Sequence, residues 1–370
     1  MAGSIAARAE RELRSLVGVS SPSGDVLGAE EAMAVADALA PEEAAAERVP
    51  CSSPEHAPDL VLRLKGTGGG RLLLVGHVDT VVPHRAHRPL VEEGEHLTGS
   101  GTVDMKGGVV LALGVLRALA TRTAEFAEAA LLLVCDEEWR TAPFAHVARF
   151  DGFDACLCFE AGQLTEDDED AVVVKRKAAG TLRVRAHGRQ AHSGSAPDRG
   201  VNALLALAQA AQLVAAHHAP RGNHRLTAVP TVVRSGDAFN VVPAEGELIS
   251  DLRADDHHAF EAVRASIPAE LGGARMETDM LRVWPGMDSR DFTSGLLART
   301  SEALGRRVVA AGRGGASDAS HFAASIPVTV DGLGPRGGGA HAPHEYILRD
   351  SLRSRAEVAA ATVHAWLRRD

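Results

Sequence analysis

Three short apolar runs, each closing on acidic or imidazole side chains, constrain this chain more than any other feature. Arg71 to His77 ends on His77 and Asp79. Ala129 to Cys135 is followed by Asp136-Glu137-Glu138. Ala155 to Phe159 ends at Glu160. Apolar runs of this length without polar alternation read as strands buried on both faces, the habit of parallel sheets. Helical stretches alternate with them: residues 5–17, 28–39 and the apolar segment 107–120. That alternation predicts an α/β sheet with helices on both faces. In such sheets ligands bind outside the carboxyl ends of the strands, which is where these acids and histidines fall.

The middle of the chain changes character. Thr181 to Ala186 alternates apolar and polar, as a strand with one exposed face does. A helix over 201–214, strands near 227–233, 239–242 and 246–253, a helix over 257–271 and an alternating strand over 274–283 follow. The order β-α-β-β-α-β is the ferredoxin-like unit. We therefore expect an inserted domain over 178–285 within a larger α/β domain made of 1–177 and 286–370. In the latter, 290–304 reads as a helix, 327–331 as a strand and 351–368 as the last helix, with Asp350 as its N-cap.

Composition narrows the function classes. The formal net charge of −10 offers no basic face for nucleic acid. No run of 18 apolar residues suits a membrane span, and the first residues lack the apolar core of a signal peptide. Four cysteines in 370 residues (Cys51, Cys135, Cys156, Cys158) make no disulfide framework and read as structural thiols, which points to a reducing, cytoplasmic home. The acidic run Glu166 to Asp170 lacks the spaced ligands and glycine of a calcium loop and reads as solvated.

The chemistry gathers at a few positions. His77 and Asp79, two apart, face one side of a strand, so that one can bind a metal while the other orients it. A histidine satisfied at the surface or in the core fits that dipeptide as well. Asp104 lies in the glycine-rich stretch Gly99 to Gly108, either capping a helix or placed to bridge two cations. Glu137 and Glu138 repel one another and need a cation or protons nearby. Glu160 ends the third run. Gly337 to Tyr346 adds His341 and His344. Two histidines and several carboxylates at strand ends match a site for two divalent metals.

These residues resemble the co-catalytic zinc amidohydrolases that include acetylornithine deacetylase, succinyl-diaminopimelate desuccinylase, aminoacylase and glutamate carboxypeptidase. The matching segments are Gly76-His77-Val78-Asp79-Thr80, Gly101-Thr-Val-Asp104-Met-Lys-Gly-Gly, Asp136-Glu137-Glu138, Glu160 and His341-x-x-x-Glu345. Gly188-Arg-Gln-Ala-His192-Ser, Phe239-Asn240-Val-Val-Pro, Asp251-Leu-Arg253 and Gly314-Gly315-Ala-Ser317-Asp318 match as well. The resemblance runs through nearly the whole chain in order.

It implies a zinc-peptidase-like catalytic domain with an inserted lid that forms a homodimer. Asp104 would bridge two zinc ions, His77 and Glu160 completing one and Glu138 and His341 the other; cobalt or manganese could serve instead. Glu137 would be the general base and Asp79 would support His77. His192 and Asn240 would reach the facing active site, and His192 would stabilise the oxyanion. Arg253 would hold a substrate carboxylate, with Gly315 and Ser317 among the substrate-binding residues. His341 is preferred to His344 because only it has the x-x-x-Glu spacing. The substrate would be a small peptide or N-acyl amino acid with a free carboxylate. The glutamate carboxypeptidase branch is favoured over an N-deacylase of the acetylornithine or succinyl-diaminopimelate type. A non-catalytic scaffold on the same fold would be expected to have lost ligands. The chain departs from the family in Trp139-Arg140-Thr141 and Ala161-Gly162, where small residues or proline are usual.

Overall fold

The computed structural model describes residues 1–368. Two compact units divide the chain. The first comprises Met1–Lys175, Asp288–Gly312 and Ser317 to the end of the described residues; the second comprises Arg176–Met287 and Arg313–Ala316.

The first unit is built on a six-stranded mixed sheet. Its strands run in the order Ala45–Val49, Asp59–Lys65, Glu128–Val134, Arg71–His77, Ala155–Cys158 and Val328–Val330. The three expected apolar runs are neighbours and parallel, with His77 level with Val134 and Val75 level with Cys158. Their polar ends therefore share one edge of the sheet. Helices Ala2–Gly18, Gly107–Ala120 and Arg349–Leu367 bury their apolar faces in the same core, with Leu13, Leu113 and Val363 fully buried. The expected α/β class is the observed one.

The second unit has its own core, centred on Leu182, Leu207, Leu252 and Phe260. Strand Ala178–His187, helix Ala203–Ala216, strands Thr227–Ser235 and Glu245–Ala254, helix Ala259–Ala265 and strand Ala274–Trp284 follow one another. In the sheet the Ala178–His187 strand lies between Glu245–Ala254 and Ala274–Trp284, and all three neighbouring pairs are antiparallel.

Several local expectations need correction. The helix expected over 257–271 spans only Ala259–Ala265. Pro268 cannot continue it, and Glu270–Leu271 turns back as a strand against Ala274 and Arg275. Asp350 lies in the first turn of the last helix, whose N-cap is Leu348. The acidic run is not wholly solvated: Asp170 is buried, and its carboxylate meets Arg306 Nε at 2.8 Å and Arg355 Nη1 at 3.2 Å. Strand Val308–Arg313, whose alternating burial is weak, went unread in the sequence.

Candidate metal centre

Three strand ends and two loops of the first unit converge here. The loop Gly99–Lys106 is brought to the strand ends by close backbone approaches that require glycine. Gly101 adopts φ +75°, and a Cβ on Gly108 would sit 1.8 Å from the Phe159 carbonyl oxygen, just ahead of Glu160. Helix Gly107–Ala120 is thereby seated against the strand end that carries Glu160, and Asp104 comes to lie between His77 and His341.

The two oxygens of Asp104 are divided. Oδ1 lies 3.1 Å from His77 Nε2, which is 3.7 Å from Glu160 Oε1. Oδ2 lies 3.1 Å from His341 Nε2, which is 3.0 Å from Glu138 Oε2. Two ligand triads therefore share Asp104: His77, Asp104 and Glu160, and Asp104, Glu138 and His341. In each, the potential donor atoms lie within 4.8 Å of one another. His344 belongs to neither triad. His341 holds φ +65°, a left-handed conformation that costs a residue with a Cβ of order 1 kcal/mol or more and is retained only where the surroundings dictate it.

Asp79 organises this arrangement from beneath. One carboxylate oxygen lies 3.3 Å from His77 Nδ1, and the backbone N–H groups of Glu137 and Glu138 donate to its two oxygens at 3.3 and 3.1 Å. His77 Nδ1 is also 3.1 Å from the Asp79 carbonyl oxygen. Nε2 of His77 is thereby left to face Asp104 and Glu160.

The electrostatics of these side chains indicate what the donor set can hold. Burial disfavours a charged His77, but its bonds to Asp104 and Asp79 outweigh burial and hold its pKa well above the usual value. Hydrogen bonds to Asp104 and Glu138 push His341 up to about 10. Burial alone would raise Asp104, yet the two imidazoles hold it low. Burial raises Glu137 well above the carboxylate range, and Asp318, Glu160 and Glu138 add to that while His77 opposes it. Glu138 is raised by burial, with His341 opposing. Crowded carboxylates thus favour protons on imidazoles that would otherwise be neutral ligands. Divalent cations would displace those protons and balance the same charge, so the donor set fits them.

Two further features went unassigned in the sequence. Glu345 is buried, and it accepts the N–H groups of Gly101 at 2.8 Å, Val103 at 2.8 Å and Asp104 at 3.0 Å, fixing the bridging loop. Burial pushes its carboxyl up to about 7 despite those three bonds. Its spacing from His341 was the available signal. Arg140 is buried between Asp136 and Asp318, at 2.8 and 2.7 Å, and lies over the Phe144 ring. Asp136 also accepts from the backbone and hydroxyl of Ser53. Nothing in the sequence linked Arg140 to Asp318, 178 residues away.

The remaining expected site residues are divided between the two units. Ser317, in the first unit, is buried with its hydroxyl 2.5 Å from Asp331 Oδ2. Gly315, His192, Asn240 and Arg253 lie in the second unit. The Gly315 carbonyl accepts from Arg176 Nη1. His192 and Asn240 meet on a short ribbon, where Ser193 N–H donates to the Asn240 carbonyl at 3.0 Å. His192 Nδ1 accepts from the N–H groups of Gly194 and Ser195, which leaves the proton of a neutral ring on Nε2. The Arg253 guanidinium is engaged with the Asp251 carboxylate through three contacts of 3.0–3.2 Å.

Known proteins share both the sequence and the fold. Carboxypeptidase G2 of Pseudomonas sp. (strain RS-16) is 26% identical over 321 residues, covering 82% of this chain and 76% of that protein. Succinyl-diaminopimelate desuccinylase of Methylobacterium nodulans is 32% identical over 299 residues, covering 72% and 74%. The crystal structure of aminopeptidase PepT from Bacillus cereus superposes with a TM-score of 0.77 at 20% identity, covering 97% of this chain and 98% of that one. Residues 73–365, which include every member of the two triads, match the model of Peptidase family M20/M25/M40, and the chain belongs to that family of metallopeptidases and amidohydrolases.

Proposed function

We propose that this hydrolase is a two-metal enzyme that cleaves the amide bond of a small peptide or N-acyl amino acid, carboxypeptidase-like in its demand for a free carboxylate. The observation that carries the reading is the division of Asp104, one oxygen toward His77 and Glu160 and the other toward Glu138 and His341, with Glu137 next in the chain. Two divalent cations, zinc or else cobalt or manganese, supply Lewis acidity to a water and to the scissile carbonyl when bound. Glu137 accepts the water's proton and passes it to the leaving amine. Asp79 holds His77 by its Nδ1 side. His192 donates from Nε2 to the developing oxyanion, and Asn240, its ribbon neighbour, acts with it. Arg253 exchanges Asp251 for the substrate carboxylate, the planar two-point contact that guanidinium favours. Gly315 and Ser317 shape the substrate site. The second unit serves as a lid and as the surface of a homodimer, and the enzyme works in the cytoplasm.

The N-deacylase reading rests on the 32% identity with a succinyl-diaminopimelate desuccinylase. A panel of dipeptides, N-acyl glutamates, and N-acetyl and N-succinyl amino acids, assayed with zinc and with cobalt, separates the two. We expect chelator-sensitive cleavage with the highest kcat/KM on substrates that release a C-terminal amino acid. A preference for N-succinyl diamino acids moves the enzyme to the deacylase branch, and no hydrolysis of any member refutes both.

A further inference from the structure

Cys51 and Cys135 have no part in the hydrolytic site, yet the fold brings their sulfurs together. Cys51 follows strand Ala45–Val49, and Cys135 closes strand Glu128–Val134, immediately before the Asp136-Glu137-Glu138 run. The two sulfurs and an Asp59 oxygen lie within 4.8 Å of one another. Cys51 also belongs to a second cluster of that size with His56 and Asp136. Both cysteines are free thiols in the structure.

The pair is asymmetric. Cys51 is half-buried, whereas Cys135 is 1% exposed, with its thiol 3.1 Å from the Ala57 carbonyl. Hydrogen bonding to Cys51, burial and the nearby Asp59 push the Cys135 thiol far up, which keeps it from reacting first. A His56 ring nitrogen lies within 4.8 Å of the Cys51 sulfur, and the buried Nδ1 of that ring makes no hydrogen bond. A half-buried thiol beside an imidazole, with a second, more deeply buried thiol close by, is an arrangement that suits a peroxidatic and a resolving cysteine.

We propose that Cys51 and Cys135 form an oxidative modification site, in which a peroxide converts the two thiols into a disulfide. Cys51 gives its proton to His56, and the thiolate sulfur attacks hydrogen peroxide. The O–O bond breaks to give a sulfenic acid at Cys51 and hydroxide, which takes the proton from His56 and leaves as water. The Cys135 sulfur then attacks the Cys51 sulfur and loses its proton. The S–O bond breaks, and the departing hydroxide joins that proton as a second water. Two thiols are oxidised, one peroxide is reduced and two waters form. In a reducing cytoplasm the pair rests as thiols, and a dithiol reductant restores it. The bond would tie the loop after Val49 to the strand end that carries the proposed base, and it would constrain the unfolded chain between residues 51 and 135.

The test uses the metal-loaded enzyme, purified under reducing conditions, exposed briefly to hydrogen peroxide, blocked with N-ethylmaleimide and digested without reductant. We expect a cross-linked peptide pair containing Cys51 and Cys135, abolished by dithiothreitol, and an unfolding midpoint raised by several degrees. Cys156 and Cys158, buried in the sheet, should stay reduced. Cys135→Ser should leave Cys51 as a sulfenic acid that dimedone traps, and Cys51→Ser should leave Cys135 unoxidised. If a variant fails to fold, the wild-type peptide map alone decides. Cys51 over-oxidised to sulfinic acid while Cys135 keeps a free thiol overturns the proposal. So does a chelator-removable cation that shields both thiols with no cross-linked peptide. Because the readout is mass and not turnover, it succeeds or fails independently of the proposed hydrolysis.

Discussion

The backbone N–H of Asp104 donates to Glu345 Oε1 at 3.0 Å, so the residue shared by both triads is held in place by a carboxylate 241 positions later. Glu345 receives two further N–H groups of the same loop and, when ionised, offers only acceptors. Glu345→Gln keeps the shape but presents an NH2 group to one of those donors and removes the charge that strengthens the other bonds. We expect metal affinity to fall about 10- to 100-fold, the usual consequence of losing a group that orients a ligand. Competition with a chromophoric chelator measures it, and unchanged affinity would show that the loop holds itself.

Glu137 and Glu138 are adjacent in the chain but face different tasks. Glu138 Oε2 lies against His341, whereas Glu137 stands outside both triads. Glu137→Ala should retain two metal ions per chain and lose roughly 10²- to 10⁴-fold in kcat, the range of a general base. Glu138→Ala should lose one ion. Elemental analysis beside steady-state kinetics reads both, and the opposite pattern would exchange the two roles.

Arg253 binds Asp251 through three contacts, and a substrate carboxylate must compete for it. Arg253→Lys should raise KM roughly 10- to 100-fold, the equivalent of one charged hydrogen-bonded contact at about 1.5–3 kcal/mol, because lysine cannot make the planar fork. Substrates amidated at the C-terminus should be correspondingly poor for the wild type and nearly indifferent to the mutation. Equal turnover of acid and amide by the wild type would exclude carboxylate recognition.

Lys106 is fully buried, with its ammonium 2.8 Å from the Val19 carbonyl oxygen. Burial lowers its pKa to about 8, with Glu345 and Asp79 opposing. Between pH 8 and the ordinary lysine value the unfolded chain binds more protons than the folded one, so this group makes stability rise with pH across that window. Below pH 8 its cost is constant, on the order of 3 kcal/mol. In the metal-free protein, the stability difference between Lys106→Met and wild type should therefore shrink as pH rises from 8 to 10.5. Urea midpoints at several pH values measure it, and a pH-independent difference would mean that the buried ammonium keeps the ordinary lysine value when folded.

Much of this was readable from sequence because its signals are local. Apolar runs without polar alternation revealed the parallel strands, and the glycines around Asp104 marked a backbone that must approach other chain closely. The residues that meet in the two triads are among those that strand-end position marked, and the family resemblance implied the same set. What escaped depends on partners distant in the chain. Asp170 sits in an acidic run that looks solvated, and only Arg306 and Arg355, 136 and 185 residues on, make its burial possible. Arg140 looked like an interruption of a small-residue loop until Asp318 supplied its second carboxylate. Strand Val308–Arg313 has alternating burial with no fully apolar run, and no period-2 pattern stood out.

The division of Asp104 between its two triads also has a history in time. His77, Asp104 and Glu160 all precede the second unit in the chain, whereas His341 follows it. At typical rates of synthesis, 5–20 residues per second, roughly 10 to 35 s separate the appearance of Glu160 from that of His341. A nascent chain thus carries one set of three donors long before the other is complete. During that interval Glu345 has not yet arrived to hold the bridging loop, nor has Gly334, whose N–H donates to the Glu160 carbonyl at 2.8 Å. An ion taken up in that interval would meet a loose, half-finished cradle; one taken up afterwards would meet a folded site whose bridging oxygen is already fixed.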